Sequence, residues 1–556
     1  MQSRTSFFNA AVFRKNLTRF APAWAIYTAG CMLVILTLID AGKPSMRAEF
    51  LGYSLTLMAV ANLGYAIVCA LLLWGDLFNA RLCNALHAMP LRREGWFVTN
   101  LISALTFCMI PYTVVATFTL PMLGYMWYIA PLWLAGSVLQ FLVFFSLAVL
   151  SIFCTGNRFA AGLFYALLNF LSLLASWFVE TIYDPLLEGV NISTDWCTKL
   201  CPVMYIIDDG DWMSWFDKQS RFYHGIGSSW VHLLVLAGLS LAVCALALVL
   251  YRNRKLECDG DFVVVRVVRP IFLVVYTLAM AAAFQLFDSL FIGSSTVSIF
   301  FAVGLAIGWF TGLMLLKRTV RIFRGKTFLG FAVLAAVLFV SILLVWSDPL
   351  GLTRWVPSAD QVQAVKLDTH GHYYQGISIT QEEEIREITD LHTIAIEENQ
   401  EVTMVYDEPY DGPRLSLTLR YYLKDGTSAE RTFLLDVYGE SAQRLIPYLS
   451  DPQAILGYEN WDKFLSQLYQ IRIDYNDDLL ITGEDAASLA QAIRRDCEEG
   501  NMVQLWQYHD NDKAIIGIDI VAGDRNIDFA VYADCIHTMH WLKEHGLLPE
   551  YVKDAT

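Results

Sequence analysis

The side chains that could carry out catalytic or metal chemistry in this sequence form only weak patterns. Cys535, His537 and His540 have the spacing C-x-H-x-x-H, and on a helix the two histidines share a face, but no fourth ligand stands nearby. Gly325-Lys326-Thr327 resembles the end of a phosphate-binding loop, yet Val320 occupies the position where such a loop needs an earlier glycine. We therefore expect no catalytic residue, no metal site and no cofactor in this chain.

Ionisable residues inside apolar segments would mark a proton or ion path. Glu180 and Asp288 stand near the ends of their apolar segments, where we expect water to reach them. The central parts contain neutral amides instead, which we expect to hydrogen-bond between helices: Asn62, Gln140, Asn169 and Gln285. This distribution disfavours a transporter coupled to protons or sodium ions.

The amino-acid composition indicates what kind of protein contains these residues. The 556 residues are 56% hydrophobic and 17% charged, and the mean hydropathy is +0.44. Residues 1–346 contain the long apolar runs and have a net charge of +7, whereas residues 347–556 have a net charge of −22. These values disfavour a soluble enzyme, a nucleic-acid binder and a disordered chain. They predict a polytopic α-helical membrane protein with an acidic appended domain.

Nine apolar runs approach or reach the roughly 20 residues with which a helix crosses a bilayer core. If the N-terminus is cytoplasmic, the inner segments hold 18 Lys and Arg residues, against 5 in the outer loops of the membrane part. The positive-inside rule then predicts that residues 347–556 lie on the outer face of the membrane, although one missed or false span would reverse that placement. The runs are 23–39, 53–73, 98–118, 130–153, 159–182, 230–251, 271–291, 297–316 and 327–346.

The residues before the first run, 1–22, predict a helix in the cytoplasmic membrane interface. The alternative is that this lead is simply the start of the first span, and no cleavable signal peptide is expected. Apolar residues recur at helical spacing between basic ones: Phe8, Val12, Phe13, Leu17 and Phe20, with Arg14, Lys15 and Arg19.

Eleven cysteines are scattered along the chain, most of them in or beside apolar runs. Cys197 and Cys201 share an outer loop, and Cys497 and Cys535 stand in the tail. Either pair could form a disulfide if the compartment is oxidising, but C-x3-C is a weak signal, and free thiols are at least as well supported.

The loop after the second run, residues 76–96, has the pattern of a short amphipathic helix followed by a basic turn. Pro90 ends the helical pattern, and the turn leads into the third run. Such a helix suits a groove on a cytoplasmic partner. The alternative is a connector with no partner.

This loop resembles the one between spans two and three in the permeases of type-2 ABC transporters. There, L-x-x-L-P is often followed by basic residues, an acidic residue and an aromatic residue; here Met89 replaces the second leucine and Trp96 is the aromatic. Residues 23–251 are similar to the six-span core of that family, whose outer loop, here 183–229, commonly dips into the outer leaflet as short helices. The resemblance assigns ATPase coupling to the residues that match this pattern: Leu86, Met89, Pro90, Leu91, Arg92, Arg93 and Glu94.

The resemblance implies a permease subunit in a bacterial cell membrane, without enzyme activity of its own. A separate ABC ATPase subunit, a second permease chain and membrane lipid would be its partners, with no nucleic acid. The substrate would be an exported or extracted peptide, drug or lipid-associated compound. Three extra spans in 252–346 and an outer domain resemble bacillus-type permeases of the acetoin-utilisation and cell-wall-antibiotic-responsive group. The alternative function belongs to a different class of protein: a multi-span membrane sensor whose outer domain binds a ligand.

The outer domain is predicted to be an internal duplication, with halves at 347–458 and 459–556. Residues 376–383 parallel residues 478–485, and Thr380 and Thr482 are predicted to cap helices that end near Asn399 and Asn501. Two alternating strands around a tight turn and a final helix follow in each half. The predicted order is β-β-α-β-β-α twice, an α+β fold with strands near 362–367, 415–423, 429–437, 471–475, 514–521 and 526–531.

Overall fold

The structure is a computed structural model of the chain. Its described residues fold as two compact units: a helical unit, Met1–Ile182 with Ser193–Phe339, and a second unit, Tyr183–Ile192 with Val340–Thr556. The short segment 183–192 therefore belongs to the second unit. The described residues are 7–41, 47–88, 91–122, 129–187, 189–192, 194–207, 222–254, 260–291, 299–368, 377–404, 414–436, 439–449, 465–466, 468–473, 479–499, 501, 514–522, 525–532 and 535–548.

The first thirteen helices are mostly long and apolar. They are α1 (Ala10–Arg19), α2 (Ala21–Ala41), α3 (Arg47–Trp74), α4 (Ala80–His87), α5 (Arg93–Met122), α6 (Ile129–Cys154), α7 (Arg158–Phe178), α8 (Asp195–Leu200), α9 (Pro202–Ile207), α10 (Phe222–Asn253), α11 (Val268–Phe291), α12 (Ile299–Lys317) and α13 (Gly325–Trp346).

Within the described residues, eight helices are long and apolar enough to cross a membrane: α3, α5, α6, α7 and α10 to α13. Helices α1 and α2 make a ninth span if they are counted together, with a bend of 56° between Ala10–Arg19 and Ala21–Thr37. Each of the nine predicted runs lies on one of these helices or extends it by a few residues. By helix length and composition, the prediction of a multi-pass helical membrane protein is confirmed.

Helix α6 is the most buried of these helices, and α13 is the least. Of the apolar window in α6, 83% is buried, against 0% in α13. Helix α6 packs against α3 and α10, and its side chains Phe141, Phe144 and Phe145 are fully enclosed. A helix that is apolar on all sides is stable either in a protein core or in lipid. Hydropathy alone therefore did not distinguish these two helices.

Helices α11 and α12 approach closely because three glycines of α12 face α11. Gly304, Gly308 and Gly312 recur every four residues, on one side of α12. A Cβ atom at Gly304 would lie 2.8 Å from the Met280 carbonyl oxygen, and one at Gly308 would lie 2.9 Å from Thr277 Cα. Small residues permit this backbone approach between membrane helices. The contact was not predicted from the sequence, although the spacing G-x-x-x-G-x-x-x-G is visible there.

The described residues of the second unit form two four-stranded sheets. Its elements are β1 (Val362–Asp368), β2 (Ile377–Ile379), α14 (Glu382–Met404), β3 (Arg414–Leu423), β4 (Ser428–Asp436), α15 (Glu440–Leu449), β5 (Leu468–Ile473), β6 (Leu479–Thr482), α16 (Gly483–Glu498), β7 (Ala514–Ala522), β8 (Arg525–Tyr532) and α17 (Ile536–Glu544).

Both sheets have the predicted order of elements and the same strand order, β2-β1-β3-β4 and β6-β5-β7-β8. All strand pairs are antiparallel. Alternate residues of several strands are buried, for example Phe433 and Leu435 in β4 and Ile471 and Ile473 in β5. This alternation follows from the two-residue period of a strand whose one face packs on helices.

Two predicted details of the helices in this unit are wrong. Thr380 is not an N-cap, because α14 begins two residues later at Glu382. Thr482, in contrast, does occupy the predicted N-cap position of α16, although its side chain makes no capping hydrogen bond. Helix α14 also continues to Met404, beyond the predicted end at Asn399. Acidic first turns in both helices stabilise their N-termini through the helix dipole.

Candidate coupling site

Residues 76–96 contain the short helix that the sequence predicts. Asn79 Oδ1 accepts hydrogen bonds from the backbone N–H groups of Arg81 (3.1 Å) and Leu82 (3.3 Å), so that Asn79 caps α4. Cys83 is buried, whereas Leu82 is 47% exposed. Helix α4 is thus amphipathic, and it exposes an apolar side chain beside the basic Arg81.

The predicted coupling residues that precede α5 differ in their surroundings. Leu86 lies in α4, but its side chain and all of Met89 and Pro90 lie outside the described residues. Leu91 is half-buried and Arg92 is exposed, in the two residues before α5. Of these five, Arg92 is the charged side chain open to a partner.

Arg93, the first residue of α5, binds the end of α10. Its Nη1 donates to the carbonyl oxygens of Tyr251 (3.1 Å), Arg252 (2.9 Å) and Arg254 (3.0 Å). The last carbonyl groups of a helix have no intrahelical donor and carry a partial negative charge. Because Arg93 satisfies these acceptors, it fastens the start of α5 to the end of α10.

Two further ionic groups extend this contact. Glu94 Oε1 lies 2.8 Å from Arg252 Nε. Arg254 is buried, and its Nη1 donates to the carbonyl oxygen of Ile152, near the end of α6, at 2.6 Å. We call Arg93, Glu94, Arg252 and Arg254 the arginine clamp. The clamp joins the start of α5 to the ends of α6 and α10.

Four aromatic side chains, one from each of four helices, pack beside the arginine clamp. They are Trp74 of α3, Phe97 of α5, Phe153 of α6 and Tyr251 of α10. The ring centroids of Trp74 lie 5.0 Å from Phe153 and 5.1 Å from Tyr251, and those of Phe153 and Tyr251 are 4.9 Å apart. Aromatic pairs of this kind add about 0.5–1.5 kcal/mol each beyond area burial. Since α4 follows α3 after a single turn, it is anchored to a tightly packed junction.

Helix α1 docks on the start of α5 through neutral polar groups. Asn9 N donates to Thr99 Oγ1 at 3.0 Å, and Asn16 Nδ2 donates to Asn100 Oδ1 (3.0 Å) and Ser103 Oγ (3.2 Å). The basic side chains of α1 are exposed: Arg14, Lys15 and Arg19.

The prediction of amides bonded between helices is confirmed for Asn62 and Gln140. Asn62 Oδ1 accepts from the Tyr27 hydroxyl (2.7 Å) and from the Tyr112 hydroxyl, and Asn62 Nδ2 donates to Gln140 Oε1 (3.4 Å). These bonds connect α2, α3, α5 and α6. The prediction is wrong for Asn169, whose Nδ2 donates at 2.8 Å to a carbonyl oxygen of its own helix.

The two carboxylates at span ends have different surroundings. Glu180 is exposed, as expected, and accepts a hydrogen bond from Ser176 Oγ at 2.8 Å. Asp288 of α11 is only 2% exposed, so the expectation that water reaches it is wrong. Its position along the sequence, three residues from the end of α11, did not reveal the packing around it.

The cysteine and histidine candidates form no metal centre in the part of the chain that the structure describes. His537 Nε2 lies 3.0 Å from Glu499, and His540 Nε2 lies 3.2 Å from Glu544, so the two histidines face different carboxylates. The cysteines considered for disulfides are all buried free thiols: Cys197, Cys201, Cys497 and Cys535.

In the second unit, the segment 189–191 lies along the free edge of β4. Thr432 N donates to the Gly189 carbonyl oxygen at 3.2 Å, Val190 forms an antiparallel bridge with Arg431, and Asn191 Nδ2 donates to Glu430 Oε1 at 2.7 Å. A segment of the loop that follows α7 thus extends the first sheet, which covers an otherwise open edge. Sequence reasoning missed this pairing, because three residues give no periodicity.

The first half of the second unit also encloses a polar group. The buried Tyr421 hydroxyl lies 2.9 Å from His392 Nδ1. Arg431 Nη2 donates to the Trp355 carbonyl oxygen at 3.3 Å, and its guanidinium stacks 5.4 Å from the Trp355 ring centroid. Burial, and then the charge of Arg431, lower the pKa of His392 to about 3. His392 is therefore neutral at physiological pH.

Comparisons of the chain with protein families, with curated proteins and with solved structures find no match.

Proposed function

We propose that this chain is the membrane-spanning permease subunit of an ATP-driven ABC transporter, with ATP hydrolysed by a separate subunit that docks on residues 76–96. One arrangement supports this proposal above all. The exposed amphipathic helix α4 is joined by a single turn to α3, at the junction that the four aromatic rings and the arginine clamp form. A displacement of α4 by a partner is transmitted to α3, α5, α6 and α10 through packed side chains.

The residues of the loop have separate roles in this proposal. Arg81, Leu82 and Arg92 are exposed and contact the ATPase subunit. Arg93 and Glu94 are positioning residues, since their charged groups are bonded to the end of α10. The partner therefore does not contact the arginine clamp directly and is coupled to it only through the helices that the clamp joins.

The rest of the chain follows the same proposal. The N-terminus is cytoplasmic, the second unit is extracytoplasmic and arose by internal duplication, and two permease chains form the complex in a bacterial cell membrane. The substrate is a peptide, drug or lipid-associated compound that is exported or extracted. The strong acidity of residues 347–556 favours a cationic substrate or regulator.

The orientation is tested with reporter fusions. Alkaline phosphatase fused after Thr556 is expected to be active, and a green fluorescent protein at the same position is expected to be dark when exported by the general secretion route. The opposite pair of results would place the second unit in the cytoplasm and remove the proposed division between an inner coupling site and an outer domain.

The partner is tested by purifying the tagged chain from its native membranes in mild detergent and identifying the co-purifying proteins by mass spectrometry. A stoichiometric ATPase with a phosphate-binding loop supports the transporter. A kinase or transcriptional regulator in its place, under conditions that keep known transporter complexes intact, would favour the membrane sensor instead.

Charge reversal separates contact from positioning. Arg92→Glu is expected to lower partner-dependent ATP hydrolysis about tenfold, equivalent to roughly 1.4 kcal/mol, with an unchanged melting temperature. Arg93→Glu is expected to destabilise the helical unit by about 2 kcal/mol, because it places a carboxylate against helix-end carbonyl groups. Arg321→Glu, in another basic loop, is the matched control and should change neither quantity. Equal effects of Arg92→Glu and Arg321→Glu would contradict the docking surface.

A further inference from the structure

A cavity of about 260 Å³ lies at the junction of α1, α3 and α7, and its lining includes Asp76, the first residue of the 76–96 loop. Its size and its mixed charged and apolar lining suit a small phosphodiester headgroup. Its lining combines two arginines, one carboxylate and apolar side chains: Arg19, Arg158, Asp76, Phe20, Val68 and Leu71.

The two arginines are available to an anion. Within the described residues, neither guanidinium has an ion pair or a hydrogen bond to another part of the chain. Arg19 lies over the Phe20 ring, 5.2 Å from its centroid, and Arg158 Nη2 lies 3.6 Å from where a Cβ atom on Gly75 would be. Arg158 is also the first residue of α7, whose N-terminus adds positive potential.

The other side of the cavity is apolar and belongs to a membrane-spanning helix. Val68 and Leu71 lie on α3, one to two turns before its end, and Val68 is exposed. A ligand that fits both sides has an anionic end and an apolar end. Basic pockets at the ends of membrane helices have the chemistry that binds anionic headgroups.

We propose that this cavity binds an anionic phospholipid, with its phosphodiester between Arg19 and Arg158 and an acyl chain along Val68 and Leu71. Asp76 leaves the lining with a net charge of +1, which favours a singly charged phosphodiester over a doubly charged phosphate. The bound lipid fixes α1 against α3 and α7. The inference rests on the membrane placement of the chain and does not require an ATPase partner.

The test is native mass spectrometry of the full chain released from nanodiscs that contain equal parts of phosphatidylglycerol and phosphatidylcholine. The chain is expected to retain phosphatidylglycerol, and Arg19→Gln and Arg158→Gln should each weaken retention about fivefold. Arg14→Gln, which removes an exposed charge from the same helix outside the cavity, is the matched control. Asp76→Asn is expected to strengthen retention and to admit phosphatidic acid.

Three outcomes would overturn the proposal. The first is equal retention of phosphatidylglycerol by the unchanged chain and by a monodisperse variant that carries both Arg19→Gln and Arg158→Gln. The second is displacement of phosphatidylglycerol by millimolar inorganic phosphate, which would indicate a site for free anions. The third is an Asp76→Asn variant with unchanged lipid preference. The Asp76→Asn result decides the matter if the arginine variants fail to fold. Retention of lipid in a chain that co-purifies with no ATPase would leave this site standing while the transporter proposal fails.

Discussion

In both α+β halves of the second unit, a carboxylate near the end of the long helix accepts N–H groups at the start of the short helix. In the first half, Glu398 accepts from Ser441 N at 3.1 Å. In the second half, Asp496 accepts from His537 N (3.1 Å) and Thr538 N (2.7 Å). In each half, a carboxylate of the long helix therefore caps the N-terminus of the short helix, and the two halves have sheets of the same strand order.

The halves differ in what surrounds this shared plan. Asp496 is fully buried and also accepts from Thr538 Oγ1 at 2.6 Å, whereas Glu398 is partly exposed. Only the first half has the buried His392 and the added segment 189–191; among the described residues, β8 pairs with β7 alone. Among the described residues, the added segment 189–191 therefore distinguishes the first sheet from the second.

The largest expected effect tests the shared caps. Asp496→Ala leaves several buried donors without an acceptor and is expected to lower the free energy of unfolding of the second half by about 3 kcal/mol. Glu398→Ala is expected to lower that of the first half by about 1 kcal/mol, because water replaces the carboxylate there. Hydrogen exchange of amides in α17 and α15 of the full chain in detergent measures both. Equal losses would show that burial does not distinguish the two caps.

The next effect is a dependence on pH that only the first half should show. Below about pH 6.5 the unfolded chain binds a proton at His392, but the folded chain does not until about pH 3. The free energy of unfolding therefore falls as the pH is lowered from 6.5, by about 2 kcal/mol at pH 5.

Exchange of β3 and β4 amides, corrected for intrinsic rates, is expected to report this loss. His392→Gln should abolish it, and His540→Gln, at an exposed histidine of the second half, is the control. A first half with the same stability at pH 5 and pH 7 would contradict the neutral, buried state of His392.

The smallest effect concerns the added segment. Gly189 has φ +72°, and a Cβ atom there would lie 2.7 Å from Phe433 Cε1. Gly189→Ala is expected to cost about 1.5 kcal/mol and to release the segment from β4, which raises the exchange of the Thr432 amide.

Gly351→Ala is the matched control, since Gly351 also has a positive φ of +65° but nothing within 4 Å of the added methyl group. Gly351→Ala introduces the backbone strain of a positive φ without a steric clash. It should therefore leave the hydrogen exchange of the Thr432 amide unchanged. Equal exchange of Thr432 in both variants would mean that the segment does not depend on the close approach to Phe433.

Much of the fold was predictable because it depends on local periodicity. The nine apolar runs and the strands of both halves lie within a few residues of their predicted positions. The predicted cap at Thr380 and the end of α14 at Asn399 were wrong, because helix ends are determined by packing as well as by local residue types. The Gly304, Gly308 and Gly312 contact was visible as spacing, but spacing alone does not identify the facing helix.

The candidate coupling site was predictable as a segment and not as a set of roles. The sequence placed Arg92 and Arg93 together as equivalent basic residues. In the structure Arg92 is exposed, whereas Arg93 satisfies the carbonyl groups of a helix end that lies 158 to 161 residues further along the chain. No local pattern records that distant acceptor.

From the sequence alone follow the division into an apolar, basic part and an acidic part, the helices long enough to cross a bilayer, and the repeated order of strands and helices. Each of these depends on composition or on a period of 2 or 3.6 residues, which neighbouring residues determine. Only the tertiary structure decided that the arginine clamp joins three helices, that α6 is buried while α13 is exposed, and that residues 189–191 extend the first sheet. These depend on contacts between residues far apart in the chain, where burial and unsatisfied hydrogen-bonding groups, rather than periodicity, determine the partners.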